Sequence, residues 1–249
     1  MFVQKGDVYM RTILITGGDR GLGKALVTLY SKSQDHVIFT YHHNLTAAQN
    51  LKAEISNLYH NSVDFFELDL SNEESIKSLV QSLPKIDILI NNAAIYKDNN
   101  IYQKDFKEFN QILTTNLTGP YYLTSLLVKD HFNYPGNIIF VSSNNAFGSN
   151  YPESIDYDAS KAGINMLVYD FAQFLFPNIR VNGIAPGWIN TEDNQHFDSD
   201  FMSQENSKIL LQRFAEPEEI ANIIYFITSP SGSYINKTII KADGGTYGN

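Results

Sequence analysis

Tyr157 and Lys161 stand four residues apart in the run Asp156-Tyr157-Asp158-Ala159-Ser160-Lys161. On a helix that spacing sends both side chains out of one face. A phenol ionises near pH 10 in water, so a free tyrosine is a poor acid or base at neutrality. An ammonium held a few ångströms away favours the phenolate, and bringing the phenol to about 7 takes roughly 4 kcal/mol. A tyrosine so placed can hand a proton to a carbonyl oxygen or take one from an alcohol. The pair alone carries little weight: a chain with 15 tyrosines yields about one such spacing by chance. A surface lysine beside a packed tyrosine is the plainer reading.

Position changes that balance. The apolar run Ile138-Ile139-Phe140-Val141 ends in Ser142-Ser143-Asn144, which puts a hydroxyl at the end of a strand. Another strand-like run, Ile88-Leu89-Ile90, ends in Asn91-Asn92-Ala93-Ala94. Asn116 falls inside a helical pattern, where an asparagine is ordinarily solvated or marks a local kink. Near the N-terminus, Ile13-Leu14-Ile15 leads into Thr16-Gly17-Gly18-Asp19-Arg20-Gly21-Leu22-Gly23 and then a helical pattern from Lys24. Strand, glycine turn and helix start together offer bare N–H groups and a positive helix end to a phosphate. The glycines fall at 17, 21 and 23, a GxxxGxG pattern rather than GxGxxG. A glycine turn by itself is weak evidence, because glycine also relieves ordinary crowding at strand-to-helix turns.

The elements that must position these residues alternate along the whole chain. Strands are expected at 12–16, 36–41, 63–68, 86–91, 137–142, 180–184 and 238–241, mostly short and apolar as in sheets covered on both faces. Helices are expected at 23–33, 46–58, 72–83, 105–131, 157–176 and 217–228. Ser71 with Glu74 reads as a capping box, and Pro217 suits a first helical position. Such alternation implies an α/β fold: one Rossmann-type, doubly wound parallel sheet of about seven strands, helices on both faces, the ligand crevice at the strand C-termini. With 249 residues the chain suits one domain over 11–249, after a loose leader at 1–10 in which Met10 is an alternative start. The helical stretches 116–132 and 157–176 carry more apolar residues than one sheet-facing stripe needs. A homo-oligomer, dimer or tetramer, through these helices is the expectation; cover by the chain's own loops is the alternative.

Bulk properties narrow the function classes. A formal charge of -9 and a pI near 5.1 argue against nucleic acid or an anionic membrane as the main partner. There is no cysteine, so disulfide and thiolate chemistry are excluded, and six scattered histidines form no metal-ligand spacing. No apolar run reaches the length of a membrane span, which makes a cytoplasmic protein the default expectation.

Taken together, these residues resemble the short-chain dehydrogenase/reductase family in its classical form, from about Met10 to Gly245. Gly17, Gly21 and Gly23 match its cofactor turn, Asp69-Leu70 the residues that meet the adenine, and Asn91-Asn92-Ala93 its structural motif. Asn116, Ser143, Tyr157 and Lys161 match its catalytic tetrad. Pro186-Gly187, with Ile189 and Thr191, matches the stretch beside the nicotinamide; Pro217 to Ala221 and Asp243-Gly244-Gly245 also fit. The resemblance implies Tyr157 as acid/base and Lys161 as the group that lowers its pKa and holds the ribose. It implies Ser143 as the group orienting the carbonyl, and Asn116 as the holder of a proton-relaying water. Around the dinucleotide, the expected contacts are Gly17, Asp19, Arg20, Gly21, Leu22, Gly23, His42, Asp69, Leu70, Asn92, Ala93, Tyr157, Lys161, Pro186, Gly187, Ile189 and Thr191.

The second strand ends in Tyr41-His42-His43-Asn44 with no acid to hold a ribose 2′-hydroxyl, and Arg20 offers a fork for a 2′-phosphate. NADP(H) is therefore expected over NAD(H). Within the family the nearest likeness is to bacterial 3-oxoacyl-carrier-protein reductases. An acidic carrier needs basic docking helices, yet 117–137 holds only Lys129 and 162–179 has no lysine or arginine. A small carbonyl or alcohol is the preferred substrate, with the carrier-bound thioester as alternative. A non-catalytic NADP(H)-sensing regulator is the rival from another class, disfavoured by the intact tetrad. Three departures from the family pattern remain: a spacing from Ser143 to Tyr157 longer by one residue, Ala94 after Asn-Asn-Ala, and Asn236-Lys237 where glycine is common. The segment 190–214 is the expected substrate lid, and Tyr96, Tyr151 and Trp188 are candidate pocket walls. Glu192, Asp193, Asp198 and Asp200 read either as partners of a polyhydroxylated substrate or as a solvated face.

Overall fold

The computed structural model describes residues 10–61, 63–148, 151–194 and 197–247; the expected leader, apart from Met10, lies outside them. Seven strands form one parallel sheet in the order β3-β2-β1-β4-β5-β6-β7. They are β1 (Thr12–Ile15), β2 (His36–Tyr41), β3 (Val63–Glu67), β4 (Ile86–Asn91), β5 (Phe132–Val141), β6 (Ile179–Pro186) and β7 (Ile239–Ala242). The order reverses between β1 and β4, and a crevice must open there beyond the strand C-termini.

Alternation along each strand divides the core in two. Ile13, Ile15, Val37, Phe39, Ile88 and Ile90 face α1 (Gly21–Lys32), α2 (Leu45–Tyr59) and α8 (Pro217–Thr228). Leu14, Ile38, Leu89, Ile138 and Phe140 face α3 (Glu73–Ser82), α5 (Gly119–Asp130) and α6 (Ile155–Phe174). Both faces are covered, which is why the strands read as apolar runs rather than alternating ones.

Several boundaries differ from the sequence reading. The expected helix 105–131 is α4 (Phe106–Leu113), a π-helical turn Thr114–Thr118, and then α5. Asn116 sits in that π-helical turn and is buried rather than solvated. Strand β5 starts five residues early because Phe132 already pairs with Ile86, ahead of a register shift. The cap of α3 is Asn72, which accepts from the N–H groups of Glu74 and Ser75; Ser71 instead donates to Asp69 Oδ1 at 2.6 Å. Pro217 does open α8, where the Glu219 carboxylate accepts the Glu216 N–H at 2.9 Å. The segment 190–214 contains a helix that its polar composition hid, α7 (Ser199–Ser207), capped by Asp198. On the single chain Tyr121, Met166, Phe174 and Phe176 stay exposed on or beside the two helices expected to pair. Among the described residues no helix is long and apolar enough to cross a membrane.

Candidate active site

A cleft of about 520 Å³ opens at the C-terminal ends of β1, β4, β5 and β6, a volume typical of small-molecule and cofactor sites. The glycine turn forms one wall. Gly17 and Gly21 lie at φ +64° and +51°, the left-handed region that glycine enters without strain. A Cβ on Gly23 would stand 1.9 Å from the Gly17 carbonyl oxygen, so only glycine lets α1 start this close to the turn. Thr16 and Asn92 fix the turn to the end of β4. The Thr16 hydroxyl accepts the N–H groups of Asn92 and Ala93, both at 3.0 Å. The Asn92 amide donates to the Thr16 and Gly17 carbonyls, both at 2.9 Å. Asn91 points the other way, to Thr124 Oγ1 at 3.0 Å.

All the residues expected to touch a dinucleotide line this one cleft: Gly17, Asp19, Arg20, Gly21, Leu22, Gly23, His42, Asp69, Leu70, Asn92, Ala93, Tyr157, Lys161, Pro186, Gly187, Ile189 and Thr191. Its far end gathers Arg20 with His42 and His43, whose rings stack at 3.6 Å between centroids. Asp69 accepts the Ser71 N–H at 2.8 Å. Burial pushes its carboxyl up, but the Ser71 hydrogen bonds and the nearby histidines hold it below the usual carboxylate range.

Ser143, Tyr157 and Lys161 meet at the other end. The Lys161 ammonium is buried, donates to the Val141 carbonyl at 2.7 Å, and stands 5.5 Å from the Tyr157 ring centroid. Burial lowers the lysine to about 8. Burial likewise pushes the Tyr157 phenol up to about 12, against a hydrogen bond with Ser143; Asp158 and Asp98 add to the rise. The expected depression of the phenol by Lys161 is thus absent. Burial works against the charged form of each group, leaving the phenol neutral, while a lysine at about 8 still carries its charge at neutral pH. A neutral phenol is the proton-donating form.

Asn116 does not line the cleft. Its side chain accepts the Ile95 N–H at 2.8 Å and donates to the Ile95 carbonyl at 2.7 Å and to Ser160 Oγ at 3.3 Å. It braces Ile95, which does line the cleft. Of the candidate pocket walls, Tyr96 takes part, whereas Tyr151 and Trp188 do not; Tyr151 packs on Trp188, which in turn meets Phe197, Phe201 and Phe214. None of Glu192, Asp198 or Asp200 lines the cleft.

Sequence reasoning missed the support behind Tyr157. Lys104 and Asp156 form an ion pair, 2% and 0% exposed, with both carboxylate oxygens 2.8 Å from Nζ. Asp156 also accepts the Tyr157 N–H at 2.8 Å, and Lys104 donates to the Lys97 carbonyl at 2.7 Å. The start of α6 is thereby tied to the loop that carries Ile95 and Tyr96. An acid in the first turn of a helix looks like ordinary end-charge compensation, which is why Asp156 gave no signal. Gln111 and Thr115 also line the cleft from a helix that reads as plain cover. Among the described residues there is no cluster of three or more His, Asp or Glu placed to hold a metal ion.

The chain is similar to known proteins along nearly its whole length. A family model described as Enoyl-(Acyl carrier protein) reductase matches residues 17–247. A 3-oxoacyl-[acyl-carrier-protein] reductase of Aquifex aeolicus is 31% identical over 246 residues, 94% of this chain and 96% of the relative. Among solved structures, a short-chain dehydrogenase/reductase from Serratia marcescens superposes with a TM-score of 0.90 at 24% identity, covering 95% of this chain and 97% of its own. A short chain dehydrogenase from Burkholderia cenocepacia in complex with NADP gives a TM-score of 0.88 at 24% identity, with coverage of 95% and 97%.

Proposed function

Because the chain belongs to the short-chain dehydrogenase/reductase family, we propose that it interconverts a carbonyl compound and its secondary alcohol with NADP(H), using Tyr157 as general acid/base. The observation that carries this reading is the meeting of Ser143, Tyr157 and Lys161 in the same cleft as the glycine turn. The cradle fits a dinucleotide on its own terms, since Gly17 and the first residues of α1, Gly21, Leu22 and Gly23, line the cleft and bring a helix N-terminus to it.

Arg20, together with His42, receives the 2′-phosphate at the end where β2 supplies no acid. Asp69 and Leu70 take the adenine side; Pro186, Gly187, Ile189 and Thr191 take the nicotinamide side. The dinucleotide supplies the hydride. Ser143 orients the carbonyl oxygen, and the neutral Tyr157 phenol donates the proton to it. Lys161 holds the ribose and, when protonated, favours the phenolate that donation leaves. Asn116 keeps Ile95 in place at the cleft wall. The segment 190–214 covers the substrate, and the exposed faces of α5 and α6 pair with a second copy.

The substrate is a small carbonyl or alcohol. A 3-oxoacyl thioester is the second reading, favoured by the name of the Aquifex relative; a carrier protein would meet little positive charge along α5, where Lys129 stands at the last turn.

A panel of ketones, aldehydes and acetoacetyl thioesters, followed by NADPH absorbance, tests the reading. The wild type is expected to reduce at least one member. Tyr157→Phe should lower kcat by about 100-fold or more with the NADPH Kd within about twofold. Full activity in the variant removes Tyr157 from its role.

A further inference from the structure

The loop between Ser143 and Tyr157 runs one residue longer than the family pattern, and the reaction gives its Tyr151 nothing to do. Tyr151 precedes the short turn Pro152–Ser154, which leads straight into α6 and Tyr157. Its hydroxyl donates to the Glu205 carboxylate and accepts from Trp188 Nε1 at 3.0 Å. Trp188 Nε1 also lies 3.2 Å from that same Glu205 oxygen. The other oxygen accepts from Lys208 Nζ at 2.7 Å, so both oxygens are engaged.

Glu205 is 3% exposed and is the buried residue of α7. The lid helix is therefore anchored through a carboxylate, whereas an apolar side chain would be the usual means. Apolar burial is non-directional, but hydrogen bonds demand distance and angle, so this anchor fixes where the helix sits. Around it Trp188 stacks on Phe214 at 5.4 Å and meets Phe197 edge-on at 5.5 Å. Trp188 follows Pro186-Gly187, which line the cleft. Three segments thus converge on one side chain: the lid, the cleft stretch after β6, and the loop leading to Tyr157.

We propose that Glu205 is a positioning residue that ties the lid helix to the Tyr157-bearing loop through Tyr151 and Trp188, and so sets the substrate wall of the cleft. An apolar replacement would leave the Tyr151 hydroxyl and the Lys208 ammonium without this acceptor and the Trp188 N–H with Tyr151 alone. The kinetic arm of the test rests on the reductase reading; the spectroscopic arm does not.

Trp188 is the sole tryptophan of the chain, so the emission of the intact protein reports on this junction without turnover. Wild type, Glu205→Ala, Glu205→Gln and Tyr151→Phe are compared by emission maximum, acrylamide quenching, NADPH Kd and kinetics with ethyl acetoacetate. Glu205→Ala is expected to red-shift the emission and increase quenching. It should raise KM about tenfold while the NADPH Kd stays within about twofold, the mark of an interaction on the substrate side alone. Glu205→Gln, which keeps an acceptor for Tyr151 and Trp188, should recover most of both effects. Unchanged emission in Glu205→Ala, or equal weakening of substrate and NADPH, overturns the proposal. Should Glu205→Ala fail to fold, Tyr151→Phe decides: a smaller shift of emission and KM in the same direction upholds it, and no shift overturns it. An emission shift in a protein whose wild type reduces nothing would uphold the tie and overturn the reductase reading.

Discussion

The two flanks of the cleft are held in place by different means. On the glycine-turn flank, Gly17, Gly21 and Gly23 shape the wall with backbone, and the uncharged side chains of Thr16 and Asn92 pin that backbone to the end of β4. On the flank of Tyr157, the wall depends on side chains that meet across long stretches of chain: Lys104 with Asp156, Asn116 with Ile95, and Tyr151 with Glu205. A backbone wall tolerates little variation at its glycines and is indifferent to most other positions. A side-chain wall concentrates its cost in a few buried charges, and those are the places to probe.

The largest effect is expected at Asp156. Replacing it by asparagine gives the Lys104 ammonium, 2% exposed, a neutral amide in place of its nearest carboxylate and leaves it only Glu108, at 3.4 Å. Removing one partner of a buried pair costs about 3–5 kcal/mol. Urea denaturation should show a loss in that range, and Lys104→Met with Asp156→Leu should recover most of it. A loss below about 1 kcal/mol would place the pair among ordinary surface bridges and erase the contrast between the flanks.

That contrast also governs how much was legible in the sequence. The seven strands, the helices on both faces and the residues expected to touch the dinucleotide follow from short local patterns, such as Gly17 to Gly23 or Asn91 to Ala93. Contacts between distant segments leave no such trace. Glu205 sits in a polar run that reads as a solvated lid, and Asp156 looks like end-charge compensation. Tyr151 and Trp188 appear as aromatic pocket walls, whereas each spends its polar atom on Glu205. The π-helical turn at Asn116 was hidden for a related reason: its apolar flanks keep a helical period, and only the bond to Ile95 reveals the break.

Lys161 sharpens the comparison from the side of stability. Burial lowers its pKa from 10.5 to about 8, which corresponds to roughly 3 kcal/mol of destabilisation of the charged form. For a cation with a depressed folded-state pKa, the unfolded chain binds the proton more tightly. The cost is therefore fully present below pH 8 and is relieved as pH rises from 8 to 10.5. Lys161→Met should abolish turnover yet gain about 2 kcal/mol at pH 7, after loss of the hydrogen bond to the Val141 carbonyl. The gain should shrink when denaturation is repeated at pH 9.5. A pH-independent difference would mean that packing, not charge burial, separates the two proteins.

On the glycine-turn flank the side chain to test is Arg20, which precedes α1 and lines the cleft. Arg20→Ala should weaken NADPH by about 10–100-fold, the worth of a charge-assisted hydrogen bond to phosphate, and leave NADH within about twofold. Titration of nicotinamide fluorescence measures both. Equal losses would move the 2′-phosphate away from Arg20.

The smallest effect is expected at Lys237, far from either flank, where the family pattern has glycine. Lys237 lies at φ +55°, a left-handed conformation that costs a residue with a Cβ about 1–2 kcal/mol. Its N–H is engaged by the Val181 carbonyl at 2.9 Å, and the neighbouring Asn236 carboxamide accepts the Val181 N–H at 2.8 Å. These bonds set the entry to β7, so the backbone cannot relax out of the strained region without losing them. The Lys237 ammonium reaches Gln173 at 2.9 Å, but on the exposed surface, where such a contact contributes little. Lys237→Gly removes the strain and gives back part of the gain as unfolded-chain entropy. The net expectation is about 0.5–1 kcal/mol of added stability, a rise of about 1–4 °C in Tm for a chain of this size. Lys237 precedes the start of β7, whereas β7 reaches the cleft stretch only at its other end, where Ala242 pairs with Pro186, so the NADPH Kd should match the wild type.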